Sequence, residues 1–345
     1  MKAGIFYAPR DIRIEEVPDP SIQNPDEAIV KVTYACICGS DLWFYRGITQ
    51  RPAGSRVGHE FMGIVELVGK GVGKVKVGDL VVAPFIPHDG TCPECLAGMS
   101  SACRNKKSWG FNGYDGGQGE KVRVPMADGT LKVVLQDKVT ESMMPALLPL
   151  SDVLCTGHHA AVSADVGPGK TVAVVGDGAV GLCAILASKR LGAKKIILLS
   201  HHEDRAKIGR QFGATDIIES RGSEAIAEVK KLTGDLGVDC ALECVGTQES
   251  WDACFSLVRA GGKIGFVGVP VDVPDIPIRK LFDTNVGVKG GMAPAGSYIP
   301  ELLPDVLSGG LDCSAIFNKT VPLQDLAAGY KAMDERKAIK VLVKI

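Results

Sequence analysis

The 345-residue sequence contains no run of about 18 apolar residues, so no segment reads as a membrane-spanning helix. It also has no excess of charge of either sign, with 39 Lys and Arg against 40 Asp and Glu. Without a basic run or a stacking-aromatic module, nucleic acid is not an expected partner. The opening MKAGIFYAPRDIRIEE turns charged within ten residues, which is not the apolar stretch of a secretory signal. A cytoplasmic location is therefore the expectation. What is present is a globular composition, 46% hydrophobic and 23% charged, with enough chain for two cores.

Cysteine is plentiful, but the odd count of 11 in a chain read as intracellular argues against a disulfide framework. Cys155, Cys183, Cys240, Cys244 and Cys254 stand singly among apolar residues and read as small buried hydrophobes. Cys38 and the group Cys92, Cys95 and Cys103 differ in their neighbours and spacing.

Through residue 150 the chain shows short alternating runs (EAIVKVTYACI, MGIVELVGKGV, GDLVVAPF) cut by glycine and proline. These predict strands joined by tight turns, a small β-barrel-like domain. The stretch from Ile86 to Gly119 has little periodicity and is rich in glycine and cysteine, as expected of a functional or metal-stapled loop. From about Asp165 apolar strands alternate with amphipathic helices, from TVAVVG through KIGFVGVP to NVGVKGG. That rhythm predicts parallel β-α-β units with a sheet covered on both faces. The closing KVLVKI is expected to return to the first domain.

Gly176-Asp177-Gly178-Ala179-Val180-Gly181 fits G-x-G-x-x-G, and it directly follows a predicted strand and opens a predicted helix. The first glycine allows the tight turn and the second lets the backbone approach a pyrophosphate. The third permits close helix packing, with the helix N-terminus facing the phosphates. The next strand ends at Ser200, where an acidic residue usually holds the ribose hydroxyls of NAD(H). With Ser200, His201, His202 and Arg205 there instead, NADP(H) is expected over NAD(H). The competing arrangement brings Glu203 back to the ribose.

Three further stretches carry potential metal donors: Cys36-Ile-Cys38-Gly-Ser40-Asp41, Gly58-His59-Glu60, and Pro149-Leu-Ser-Asp152-Val-Leu-Cys155-Thr156. The spacing G-H-E-x2-G-x5-G-x2-V is met in full from Gly58 to Val72. On these residues the chain resembles the zinc-dependent medium-chain alcohol dehydrogenases over essentially its whole length. The resemblance implies an α/β protein: a GroES-like β-barrel catalytic domain (residues 1–155 and 296–345) plus a Rossmann-type doubly wound parallel sheet domain (residues 156–295). It implies hydride transfer between an alcohol or aldehyde and a nicotinamide dinucleotide, and a homodimer or homotetramer.

By the same resemblance Cys38, His59 and Asp152 are ligands of a catalytic zinc, with Glu60 a subsidiary one. Three protein ligands leave the fourth position open for substrate. A helix-capping role would also explain Asp152. Ser40 is implied as the proton-relay hydroxyl and Thr156 as a neighbour of the nicotinamide. Relatives often carry a histidine where this chain has Trp43, and Trp109 matches a pocket-wall position; ordinary packing accounts for either tryptophan equally well. The family's structural zinc pattern C-x2-C-x2-C-x7-C falls on Asp89, Cys92, Cys95 and Cys103, with Asp89 in place of the first thiolate. His88 is an alternative fourth ligand. Competing functions are a polyol, amino-alcohol or threonine dehydrogenase of the same fold, and a metal-free quinone or enone reductase. A non-catalytic NADPH-binding protein is the remaining one.

Overall fold

A computed structural model describes residues 1–134, 139–270 and 275–345. They divide into two compact units, Met1–Asp152 with Pro294–Ile345, and Val153–Ala293.

The first unit is built on a largely antiparallel sheet whose central strand, Ala28–Ile37, comes from the alternating run EAIVKVTYACI. Glu60–Val68, Lys121–Val124 and the near-terminal strand Lys340–Lys344 all pair with it in antiparallel fashion. Leu80–Ala83 and Lys132–Val134 extend the sheet beyond Glu60–Val68, while Phe317–Pro322 runs parallel to Lys340–Lys344. The strands approach closely: a Cβ on Gly63 would lie 2.1 Å from the Lys31 carbonyl oxygen, which only glycine permits. The core includes Ile37, Phe61, Tyr330, Val341 and Val343. Burying the fully enclosed Phe61 alone contributes about 1.5–3 kcal/mol. Register sets the site, because it places Cys36 opposite Glu60 and Ile37 opposite Val341. The segment from Ile86 to Gly119 has only the short helix Pro93–Leu96 and the turn Ser100–Ala102 before its end.

The second unit is a six-stranded parallel sheet. Its order is Asp216–Ile218, Lys195–Leu199, Thr171–Val175, Val238–Glu243, Val258–Phe266 and Gly287–Gly290. In chain order that is 3-2-1-4-5-6, the Rossmann arrangement. Helices Ala179–Arg190, Glu203–Phe212, Gly222–Leu232 and Gln248–Leu257 lie between strands along the chain. The last begins at a capping box of Thr247 and Ser250. It stops at Leu257, earlier than ESWDACFSLVRAG suggests, because Val258 already pairs with Val238. Cys155, Cys183, Cys240 and Cys254 are buried as expected, Cys244 only partly, and all eleven cysteines are unbridged.

Candidate active site

In the first unit, Cys38 leaves the end of the central strand, His59 precedes the neighbouring strand that Glu60 opens, and Asp152 follows the turn Leu148–Ser151. Donor atoms of these four residues all lie within 4.8 Å of one another. Asp152 Oδ2 is 3.6 Å from Cys38 Sγ and 3.4 Å from His59 Nε2, and Glu60 Oε1 is 4.0 Å from that nitrogen. Asp41, which sequence reasoning passed over, orients the group. Its Oδ1 is 3.2 Å from His59 Nδ1, and its Oδ2 accepts the Cys38 N–H at 3.1 Å. A carboxylate on Nδ1 leaves the Nε2 lone pair for a metal.

Burial raises the pKa of the Cys38 thiol, and Asp152 and Glu60 raise it further. At His59 burial works the other way, yet Asp41, Cys38 and Asp152 together hold its pKa well above the ordinary value. Packed acidic groups that resist ionising side by side are relieved by a dication. A thiolate, an imidazole and a carboxylate are donors suited to zinc, so the residues fit that ion.

Beneath this set lies a buried ion pair that the sequence did not signal. Lys340 Nζ donates to Glu60 Oε1 at 2.6 Å and to the Ile37 carbonyl at 3.3 Å, while Cys36 Sγ donates to Glu60 Oε2 at 3.1 Å. Burial disfavours the Lys340 charge, but Cys36, Glu60, Cys38 and Asp152 outweigh it and raise its pKa well above the usual value. Glu60 is thus already paired, which ranks it below the other three as a ligand. Ser40 is half-buried at the start of the helix Asp41–Tyr45, which carries Trp43, also half-buried. Trp109 is packed edge-on to Phe61 and its Nε1 donates to the Pro84 carbonyl, the pattern of a core residue.

A second donor group comprises Asp89, Cys92, Cys95 and Cys103, again within 4.8 Å of one another. Cys103 Sγ accepts N–H groups from Asp89 and Asn105, at 3.5 and 3.4 Å. Asp89 Oδ1 accepts from Thr91 and Cys92 N–H, and Oδ2 from the Asn105 amide. Burial opposes the Asp89 charge, but these donors hold its pKa below the usual carboxylate range. The three sulfurs and one carboxylate suit a closed four-coordinate zinc. His88 lies outside the group: its Nδ1 is 3.2 Å from the Ile86 carbonyl and its ring fills the space beside Gly296.

In the second unit the glycine motif forms the turn between Thr171–Val175 and Ala179–Arg190. Gly176 takes φ +115°, and a Cβ on Gly181 would meet the Gly176 carbonyl at 1.8 Å. A Cβ on Gly178 would meet nothing within 4 Å, and the helix after it has no side-chain cap. Open space at an uncapped helix N-terminus, at Ala179 and Val180, fits a pyrophosphate.

The strand end differs from expectation in one respect. A carboxylate is present there, Asp177, contributed by the glycine turn; Ser200, His202 and Arg205 all donate to it. Arg205 is therefore ion-paired and not free. Glu203 is exposed in the first helical turn of Glu203–Phe212. His201 is exposed and contacts Arg221. Asp177, His201 and His202 come close enough to share a metal, but the guanidinium groups of Arg205 and Arg221 beside them disfavour a dication. Thr156 is buried in the first turn of the helix Val153–Ser163.

The first unit thus carries donor groups that suit zinc, and the second a glycine turn that fits a dinucleotide. Residues 24–134 match the alcohol dehydrogenase GroES-like domain family and residues 179–308 the zinc-binding dehydrogenase family. The zinc-type alcohol dehydrogenase B of Aspergillus flavus is 33% identical over all of this chain and 81% of its own. The solved alcohol dehydrogenase TADH from Thermus sp. ATN1 is 32% identical, covering 100% of this chain and 99% of its own, with TM-score 0.93. A chain from Sinorhizobium meliloti 1021, solved bound to NADP, is 25% identical with TM-score 0.84, covering 100% and 99%. The protein belongs to the zinc-dependent medium-chain alcohol dehydrogenase family, whose chemistry is alcohol/aldehyde oxidoreduction with zinc and a nicotinamide cofactor. No described helix is long and apolar enough to cross a membrane.

Proposed function

We propose that this chain interconverts a small alcohol and its aldehyde or ketone, with NADP(H) preferred over NAD(H). The observation that carries the reading is the convergence of Cys38, His59 and Asp152 donors within 4.8 Å. In the proposed site these three residues hold the catalytic zinc, with Glu60 a subsidiary ligand restrained by Lys340. When bound, zinc would supply Lewis acidity there and the nicotinamide would supply a hydride donor or acceptor. Asp41 keeps His59 in its ligating tautomer. Ser40 takes the hydroxyl proton from the substrate and passes it outward, and Trp43 narrows the space beside Ser40. Asp89, Cys92, Cys95 and Cys103 hold a structural zinc.

Gly176, Gly178, Ala179, Val180 and Gly181 take the pyrophosphate, and Thr156 serves the nicotinamide end. Ser200, His201 and Arg205 serve the adenosine ribose. The NADP(H) preference is supported by two arginines at the strand end, Arg205 beside Asp177 and Arg221 beside His201, and by the NADP-bound relative. The active protein is assigned as a homodimer or homotetramer. The test is a panel of alcohols, polyols and aldehydes followed at the reduced-nicotinamide absorbance, with and without a chelator. Chelator-sensitive turnover of simple alcohols supports the reading. Turnover of quinones or enones alone, indifferent to chelation, overturns it.

A further inference from the structure

A glycine turn that receives a pyrophosphate gains nothing from a negative side chain, yet Asp177 stands between Gly176 and Gly178. Both of its carboxylate oxygens accept hydrogen bonds, with one acceptor site left on Oδ1. Oδ2 accepts from Ser200 Oγ at 2.8 Å and from His202 Nδ1 at 2.7 Å, and Oδ1 accepts from Arg205 Nη1 at 2.9 Å. Both partners of the ion pair are largely shielded, with 12% of the Asp177 side chain and 15% of the Arg205 side chain exposed. Ser200 is buried at the end of the strand Lys195–Leu199, where a dinucleotide fold reads the 2′ position of the adenosine ribose. Asp177 thus reaches, from the turn, the place where this fold ordinarily puts an acid at the strand end.

We propose that Asp177 is a specificity-determining residue that sets the balance between NADP(H) and NAD(H) by competing with a 2′-phosphate for Arg205. This inference rests on the assignment of a nicotinamide dinucleotide to the second unit. When the ribose carries a free 2′-hydroxyl, the hydroxyl donates a hydrogen bond to the carboxylate and Arg205 stays paired. When it carries a 2′-phosphate, the guanidinium must leave Asp177 for the dianion, and the carboxylate then faces like charge. Asp177 therefore restrains a preference for NADP(H) that Arg205 and Arg221 would otherwise make stronger.

The test uses fragments, so that the readout is independent of turnover. Binding of 2′,5′-ADP and 5′-AMP to the zinc-loaded protein is measured by calorimetry for wild type, Asp177→Asn, Arg205→Met and the double variant. Asp177→Asn is expected to tighten 2′,5′-ADP by roughly tenfold relative to 5′-AMP. Arg205→Met is expected to weaken 2′,5′-ADP, and the gain from Asp177→Asn should vanish in the double variant. Equal loss of both fragments in Asp177→Asn would mean that the carboxylate only shapes the turn, and would overturn the proposal; so would no change in either. Should Asp177→Asn fail to fold, unaltered 2′,5′-ADP binding in Arg205→Met overturns it alone. A wild type that binds 5′-AMP as tightly as 2′,5′-ADP contradicts the NADP(H) preference while leaving the Asp177 shift to be read. A wild type that binds neither overturns both.

Discussion

Replacing Lys340 by methionine tests the buried electrostatics of the first unit. Lys340 and Glu60 side chains are 1% and 0% exposed and meet at 2.6 Å, so methionine keeps the stem but strands a carboxylate away from water. The remaining donor to Glu60 on this side is the Cys36 thiol at 3.1 Å, a weak one. Removing one partner of such a pair costs about 3–5 kcal/mol, because the survivor stays buried without compensation. For a unit of about this size each kcal/mol moves Tm by about 2–4 °C, so the expected fall is about 6–20 °C. Adding Glu60→Gln removes the orphaned charge and should restore at least half of the loss. The assay is thermal and urea unfolding in excess chelator, which keeps metal binding out of the comparison. A single variant within about 1 kcal/mol of wild type refutes the reasoning, as does a double variant no more stable than the single.

Ser40→Ala is expected to lower kcat by about 10²- to 10⁴-fold with zinc content unchanged, as loss of a proton-transfer group does; steady-state kinetics with metal analysis checks both halves. Asp41→Asn should weaken the catalytic zinc by about 10- to 100-fold, read by competition with a chromogenic chelator. His159, buried in the helix Val153–Ser163, has its pKa lowered from 6.5 to about 4, first by burial and then by Lys289 and His158. The unfolded chain binds a proton near pH 6.5 that the folded one refuses until about 4. Stability present above pH 6.5 is therefore lost as pH falls toward 4, by about 3 kcal/mol in all. His159→Gln should flatten that part of the pH–stability curve, and an unchanged slope would count against the assignment.

The periodic parts of this protein were legible in its residues. Alternation marked Ala28–Ile37, and strands trading with helices after Asp165 implied the parallel sheet, because one period follows the pleat and the other the helix turn. The glycine motif was readable because its glycines answer steric demands local to one turn. Cys38, His59 and Asp152 were named from a resemblance, and the fold gathers them from three distant stretches.

Residues whose meaning lies in partners remote along the chain were missed. Lys340 sits in an apolar terminal strand, and its partner Glu60 is 280 positions away. Cys36 stood out only as a member of the stretch that carries Cys38, with no role of its own. Asp177 occupies a variable position of its motif, so nothing in the spacing announced that its carboxylate would meet Ser200, His202 and Arg205 across the next strand. In Asp41 the signal was available: a carboxylate three residues after a ligand cysteine is placed to orient a neighbouring imidazole.

Zinc content per chain, compared between wild type and Cys38→Ala, tests the central claim most directly. Two ions in the wild type and one in the variant, with turnover abolished, is the predicted result. Equal zinc in both proteins, or an active Cys38→Ala, would contradict a catalytic metal held by Cys38, His59 and Asp152.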